Sequence, residues 1–190
     1  MNHEKNEDSI SGKFALVTGA AKGIGKASAL ELAKMGVNVA INYNSSESEA
    51  LKTVTEIKSL GVDSFAIQAN VGDLNQVNTM IDETLNRFSQ IDILINNAGI
   101  IDDSLLLRMK DEAWERVIDT NLNGTFYCSR AAVKSMFKSK WGRMITISST
   151  VAKEPSSAMV QSATSRAAVL AFNKSIAFLF FDNIYQLILS

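Results

Sequence analysis

Five short apolar runs, separated by longer segments of helical period, set the architecture of this chain. The runs cover residues 14–17, 37–41, 64–67, 91–95 and 143–147, and they are rich in Val and Ile. A strand with one wet face alternates apolar and polar residues. Runs that are apolar almost throughout belong to strands covered on both faces. Amphipathic helices are expected between them at residues 23–35, 46–60, 74–88 and about 121–138, with a further helix over 165–177. Parallel neighbours need a long connection across one face of the sheet, so this alternation implies a parallel sheet with right-handed crossovers. The fold class is therefore α/β, a doubly wound parallel sheet in one domain over residues 12–190. Residues 1–11 are polar, lack the apolar stretch of a secretory signal, and read as a flexible tail.

Composition narrows the function classes. A net charge of −1 gives no field to attract nucleic acid or an anionic membrane. Cys128 is the only cysteine, so no disulfide forms within one chain, which suits a reducing cytoplasm. His3, the only histidine, lies in the tail, and a Cys/His metal site is not expected.

The turn after the first strand carries the first chemical signal. Thr18-Gly19-Ala20-Ala21-Lys22-Gly23-Ile24-Gly25 leaves that strand and opens the first helix. Glycines allow a tight turn and close backbone approach to a pyrophosphate, and the helix start offers free N–H groups with a partial positive charge. The strand before and the helix after are the context this motif requires. The second strand ends in Asn42-Tyr43-Asn44-Ser45-Ser46, with no carboxylate before Glu47. A dinucleotide site for NAD places Asp or Glu there for the ribose 2′-OH. Neutral donors beside the Lys22 cation suit a 2′-phosphate, so NADP(H) is favoured over NAD(H). The alternative is that Lys22 is an ordinary solvated lysine.

Asn96-Asn97-Ala98-Gly99 directly follows the fourth strand. With the glycine motif, it makes the chain resemble the short-chain dehydrogenase/reductase family. The segments NNAGIIDDSLLLRMKDEAWERVIDTNLNGTF and GRMITISS are similar to bacterial 3-oxoacyl-[acyl-carrier-protein] reductases. The resemblance implies a Rossmann-type sheet of order 3-2-1-4-5-6-7 and NADPH-dependent reduction of a carbonyl to a hydroxyl. Its substrate would be an acyl thioester or another small carbonyl compound. It implies that Gly19, Ala21, Lys22, Gly23, Ile24 and Gly25 surround the pyrophosphate and 2′-phosphate. It places Asn70 and Val71 beside the adenine, Asn70 standing where many relatives have Asp, and Asn97 along the nicotinamide, while Asn42 joins the cofactor site through the second-strand reading above. Asn121 would help hold a proton-relay water, and Ser149 would hydrogen-bond the substrate carbonyl. Backbone capping is the other use of Asn97 and Asn121.

The family pattern then departs at its acid. The Tyr of its Tyr-x-x-x-Lys lies 13 positions after the active-site Ser, which lands on Ser162, with Arg166 at the Lys position. A phenol, with an unperturbed pKa of about 10, can be lowered by a neighbouring cation into a useful general acid. A serine hydroxyl is far less acidic and shorter, and Arg stays protonated. The chain also ends before the family's last strand or strands, so it reads as truncated. Residues 183–189 resemble a remnant of the sixth strand. The apolar run at 176–189 is too short for a membrane span and is expected in the core or as an exposed patch. The helices near 121–138 and 157–181 are expected to form a homodimer face, or a hetero-oligomer with a full-length relative. Three readings stand at this level. They are an impaired reductase, an inactive pseudoenzyme that binds NADP or pairs with an intact relative, and a decayed product.

Overall fold

Short apolar strands pair side by side while the amphipathic segments cover both faces of the sheet they make. The computed structural model describes residues 9–179 and 185–189. In chain order, β1 is Phe14–Val17, α1 Gly23–Lys34, β2 Asn38–Tyr43, α2 Glu47–Ser59, β3 Ser64–Gln68 and α3 Leu74–Phe88. Then follow β4 Ile93–Asn96, α4 Asp111–Ile118, α5 Gly124–Ser139, β5 Gly142–Thr146, α6 Val160–Leu179 and β6 Tyr185–Leu189. The order across the sheet is β3-β2-β1-β4-β5-β6, with every pairing parallel. The expected sixth strand is present as β6, running from Gly142↔Tyr185 to Thr146↔Leu189 beside β5. β1 sits between β2 and β4, so the chain winds outward in both directions from it. Ligands of such sheets bind in the crevice at the C-terminal strand ends where the winding reverses.

Residue alternation within the central strands builds two cores. Ala15, Val17, Val39, Ile41, Ile93 and Ile95 face one way, toward Ala29 and Ala33 of α1 and Ala50 and Ile57 of α2. Leu16, Ala40 and Leu94 face the other way, toward Val77, Met80 and Ile81 of α3 and Cys128, Ala132 and Met136 of α5. Fully burying side chains the size of Leu16, Ile41 or Met80 contributes roughly 1.5–3 kcal/mol each. The start of α3 is fixed by Asp73, whose carboxylate accepts from the N–H groups of Asn75 and Gln76. Those backbone hydrogen bonds, led by that of Gln76, lower the Asp73 pKa.

The structure departs from the sequence pattern in three places. The helix expected over 121–138 is longer, because α4 precedes it and a π-helical turn, Asp119–Asn123, joins the two. α4 has only Ala113 and Val117 buried, too few positions to show a period. β5 stops at Thr146, and Arg143 and Ile145 on one of its faces are only partly buried. Of the tail, residues 1–8 with His3 lie outside the described residues, while Ile10 packs partly buried against the core. Residues 180–184, and the side chains from 178 onward in the apolar run, also lie outside them. No helix among the described residues is long and apolar enough to cross a membrane.

Candidate functional site

The loops after β1 and β4 are tied together before any ligand arrives. Thr18 Oγ1 accepts from the N–H groups of Asn97 and Ala98, each at 3.0 Å, and donates to the Ile95 carbonyl. Asn97 Nδ2 donates in return to the carbonyls of Thr18, at 2.9 Å, and Gly19, at 3.0 Å. Gly19 has φ +61°, and a Cβ there would stand 2.9 Å from Ala98 Cα, so both backbone and space require glycine. From the other side, Gly19 N–H donates to Asn42 Oδ1 at 3.2 Å. Asn42 is 1% exposed, and its amide nitrogen donates to the carbonyls of Ala69 (2.9 Å), Tyr43 (3.3 Å) and Ile67 (3.4 Å). Asn42 thus acts as a clamp on the backbone, its amide nitrogen directed at protein carbonyls.

The start of α1 is open. Lys22 takes the cap position in extended conformation, no side chain caps the helix, and its first turn holds no acidic residue. Nothing lies within 4 Å of where a Gly23 Cβ would be. Ala21 and Gly25 are buried beneath, while Lys22, Gly23 and Ile24 are exposed. Free N–H groups and the positive helix end are therefore turned outward, unlike the Asp73-capped start of α3. That arrangement fits a pyrophosphate.

Two cavities flank residues 98–100. The first, of about 330 Å³, runs past Gly19, Asn42, Asn70 and Val71 to Arg116 and Asp119. Asn70 Oδ1 accepts from Gly72 N–H at 3.0 Å, which fixes the side chain at the cavity wall. The second, of about 580 Å³, is lined by Asn97, Ser149, Ser162 and Arg166, together with Ile24, Asp103, Glu154 and Met159. Ser162 and Arg166 are four apart on α6 and so share a face. Ser162 is 6% exposed and its hydroxyl donates to Asp103 Oδ1 at 3.3 Å. Arg166 Nη1 donates to the Ile147 carbonyl at 2.7 Å, and burial pulls its pKa below the ordinary arginine value. Ser149 lies three residues beyond the end of β5, exposed, with its Oγ accepting from Val151 N–H.

Asn121 does not line either cavity. It sits in the π-helical turn at 1% exposure. Its Oδ1 accepts from Ile100 N–H at 2.9 Å, and its Nδ2 donates to the Ile100 carbonyl and to Ser165 Oγ. The side chain thus pins the loop after β4 to α6. Sequence reasoning missed Asp103, Arg116 and Gln161. Arg116 forms an ion pair with Asp102 at 2.5 Å, and the buried Gln161 amide donates to the Asp102 carbonyl. None of the three belongs to a local motif, because each finds its partner across the fold. The buried Cys128 thiol is pushed up to about 12, which leaves it inert as a nucleophile.

Known proteins share this fold. The family profile of the short chain dehydrogenases matches residues 13–182. A 3-oxoacyl-[acyl-carrier-protein] reductase, FabG, from Staphylococcus aureus is 47% identical over 165 residues, 87% of this chain and 67% of that protein. A 3-oxoacyl-[acyl-carrier-protein] reductase from a Synechocystis species is 45% identical over 168 residues, 88% of this chain and 68% of that protein. Among solved structures, a short chain dehydrogenase from Burkholderia cenocepacia in complex with NADP superposes with a TM-score of 0.89. It is 31% identical and covers 96% of this chain and 74% of its own. Acetoin dehydrogenase YohF from Salmonella typhimurium gives a TM-score of 0.86 at 29% identity, covering 90% of this chain and 68% of its own.

Proposed function

The chain belongs to the short-chain dehydrogenase family, and on that premise we propose that it binds NADP(H) in preference to NAD(H) as a weakened carbonyl reductase of the 3-oxoacyl type. The open, uncapped start of α1 with Lys22 at its cap is the observation that carries this reading. The backbone of Gly19, Ala21, Gly23, Ile24 and Gly25 holds the pyrophosphate there, and Lys22 meets the 2′-phosphate. Asn42 keeps the loop closed from below, Asn70 and Val71 flank the adenine, and Asn97 supports the nicotinamide half. The bound nicotinamide supplies the hydride. Ser149 offers its hydroxyl to the substrate carbonyl, an acyl thioester or similar small carbonyl compound. Asn121 contributes by holding Ile100, and hence the wall between the two cavities.

The proton is the weak point. Ser162 is a poor acid whose hydroxyl is directed at Asp103, and Arg166 cannot release a proton usefully. Loss of a positioned general acid costs roughly 10²–10⁴-fold in rate. That same Ser162–Asp103 contact favours a second reading, an inactive chain that binds NADP in the cytoplasm and pairs with itself or with a full-length relative. The pairing face would be α5 and α6, where Phe126, 38% exposed, meets Phe172 edge to face. Thermal denaturation with NADP and with NAD tests the cofactor claim. Stabilisation by NADP at concentrations where NAD has none is expected. No shift with either would end both readings.

A further inference from the structure

The loop that carries Asp103 is tied down at two points before it reaches Ser162. The Asp102 carboxylate pairs with Arg116 of α4, and the Asp102 carbonyl accepts from the buried Gln161 amide, one residue before Ser162. Asn121 holds both the N–H and the carbonyl of Ile100, and it donates to Ser165 Oγ, which itself donates to the Ser162 carbonyl. Loop and helix are thus fixed against each other around the hydrogen bond from Ser162 Oγ to Asp103 Oδ1. Both residues line the second cavity, together with Ser149. A single hydroxyl hydrogen serves that contact. An ionised carboxylate only accepts, so it takes the Ser162 hydrogen and turns it away from the cavity. A protonated carboxyl donates instead, and the Ser162 hydrogen is then free to point into the cavity.

We propose that Asp103 is the proton reservoir behind Ser162, and that its protonation decides whether Ser162 donates to a carbonyl in the cavity. The proposal rests on the carbonyl-reductase reading and names the source of that reaction's proton. As hydride reaches the carbonyl carbon, the π pair moves onto the carbonyl oxygen, which takes the Ser162 hydrogen. Ser162 Oγ takes the hydrogen of Asp103, and the carboxylate left behind regains a proton from water, to which Asp103 is exposed. Asp103 acts through Ser162 and does not touch the carbonyl itself. The charged groups around it leave it unpaired. Among the described residues it forms no ion pair. Arg116 is taken by Asp102, and Arg166 of α6 is turned to Gly99 and the Ile147 carbonyl. Glu154, exposed in the loop after β5, adds a second carboxylate to the cavity wall, screened by water. With Asp103 ionised, the cavity lacks a donor at this point, which deepens the weakness assigned to Ser162.

The test uses the full chain and ethyl acetoacetate, an uncharged 3-oxo ester on which the loss of a carboxylate charge has little direct effect. Calorimetric titration at pH 7.5 compares the chain with Asp103→Asn, whose NH2 donates to Ser162 as a protonated carboxyl would. Asp103→Asn is expected to tighten the ester about two- to tenfold, the worth of one hydrogen bond, and to change nothing in a Ser162→Ala background. NADPH consumption with the ester, corrected for loss without protein, is followed from pH 8 to pH 5. It should be slow throughout in the unaltered chain and rise about tenfold per unit as pH falls, as the protonated fraction of an acid does. Asp103→Asn and Ser162→Ala should remove that slope, and Asp103→Glu should restore part of it. No ester binding, equal affinity in the chain and Asp103→Asn, a tightening that persists without Ser162, or the same pH slope in every variant overturns the proposal. Should Ser162→Ala fail to fold, Asp103→Asn, an exchange of equal shape at an exposed position, decides by its affinity and its slope. Thermal stabilisation by NADP is read on the same samples. Its absence while Asp103→Asn still tightens the ester would sink the cofactor reading and leave this one, and its presence without that tightening would do the opposite.

Discussion

Replacing Asn42 by Asp exchanges one NH2 for an oxygen and leaves shape and volume unchanged. That nitrogen donates at 2.9 Å to the Ala69 carbonyl and more weakly to those of Tyr43 and Ile67. The substitution therefore points an oxygen at three carbonyl oxygens in a site 1% exposed. Loss of the short hydrogen bond costs about 1 kcal/mol, and stranding the buried Ala69 carbonyl adds roughly 1–3 kcal/mol. The Gly19 N–H remains as a partner for the introduced carboxylate, but no cation is paired with Asn42. These two losses come to about 2–4 kcal/mol at neutral pH, and the uncompensated buried charge adds to them. Burial and the facing carbonyls raise the introduced carboxyl's folded pKa above its ordinary value of about 4. The folded state then holds the extra proton, so the loss is largest at neutral pH and shrinks as pH falls toward 4. Urea denaturation followed by circular dichroism at pH 7.5 and pH 5 measures both quantities. A loss under about 1 kcal/mol, or the same loss at both pH values, would refute the clamp.

Other outcomes follow from the same geometry. Lys22→Ala should weaken NADP about tenfold or more and leave NAD nearly unchanged in equilibrium binding, and equal losses would mean that Lys22 does not contact the 2′-phosphate. Gly19→Ala places a Cβ 2.9 Å from Ala98 Cα at φ +61°. It should cost roughly 1–3 kcal/mol in chemical denaturation and abolish NADP binding. Cys128, with its thiol pushed up to about 12, should resist thiol reagents at pH 8 in the native chain and react only as fast as the chain opens. Ready labelling under native conditions would contradict its burial. Light scattering should show a dimer, and a stable tetramer would count against the pairing through α5 and α6.

Much of this was legible locally. Strand positions came from continuous Val- and Ile-rich runs, and α3 was read with its bounds correct because an amphipathic stripe lies between Asp73 and the end at Phe88. The glycine turn between β1 and α1 was legible because strand, glycines and helix are contiguous. What escaped is what depends on the fold. Ser162 meets Asp103 across 59 positions, and Asn121 reaches Ile100 across 21. No spacing rule encodes either contact. Asn42 lay in a segment of neutral donors suited to a 2′-phosphate, yet its amide is turned into the protein, in a strand buried on both faces from Val39 to Tyr43. α4 was missed since eight residues with two buried positions give no period.

The central claim is a retained cofactor site joined to a missing acid, and NADPH fluorescence reads both halves in one experiment. NADPH is mixed with the purified chain, and acetoacetyl thioester is then added. The same is done with the Ser162→Tyr, Arg166→Lys double variant. The account predicts a binding change with NADPH in both proteins, slow consumption by the double variant, and essentially none by the chain as it stands, at least about 10²-fold less. Rapid consumption by the unaltered chain would contradict it and show that Ser162, Arg166 or a bound water delivers the proton.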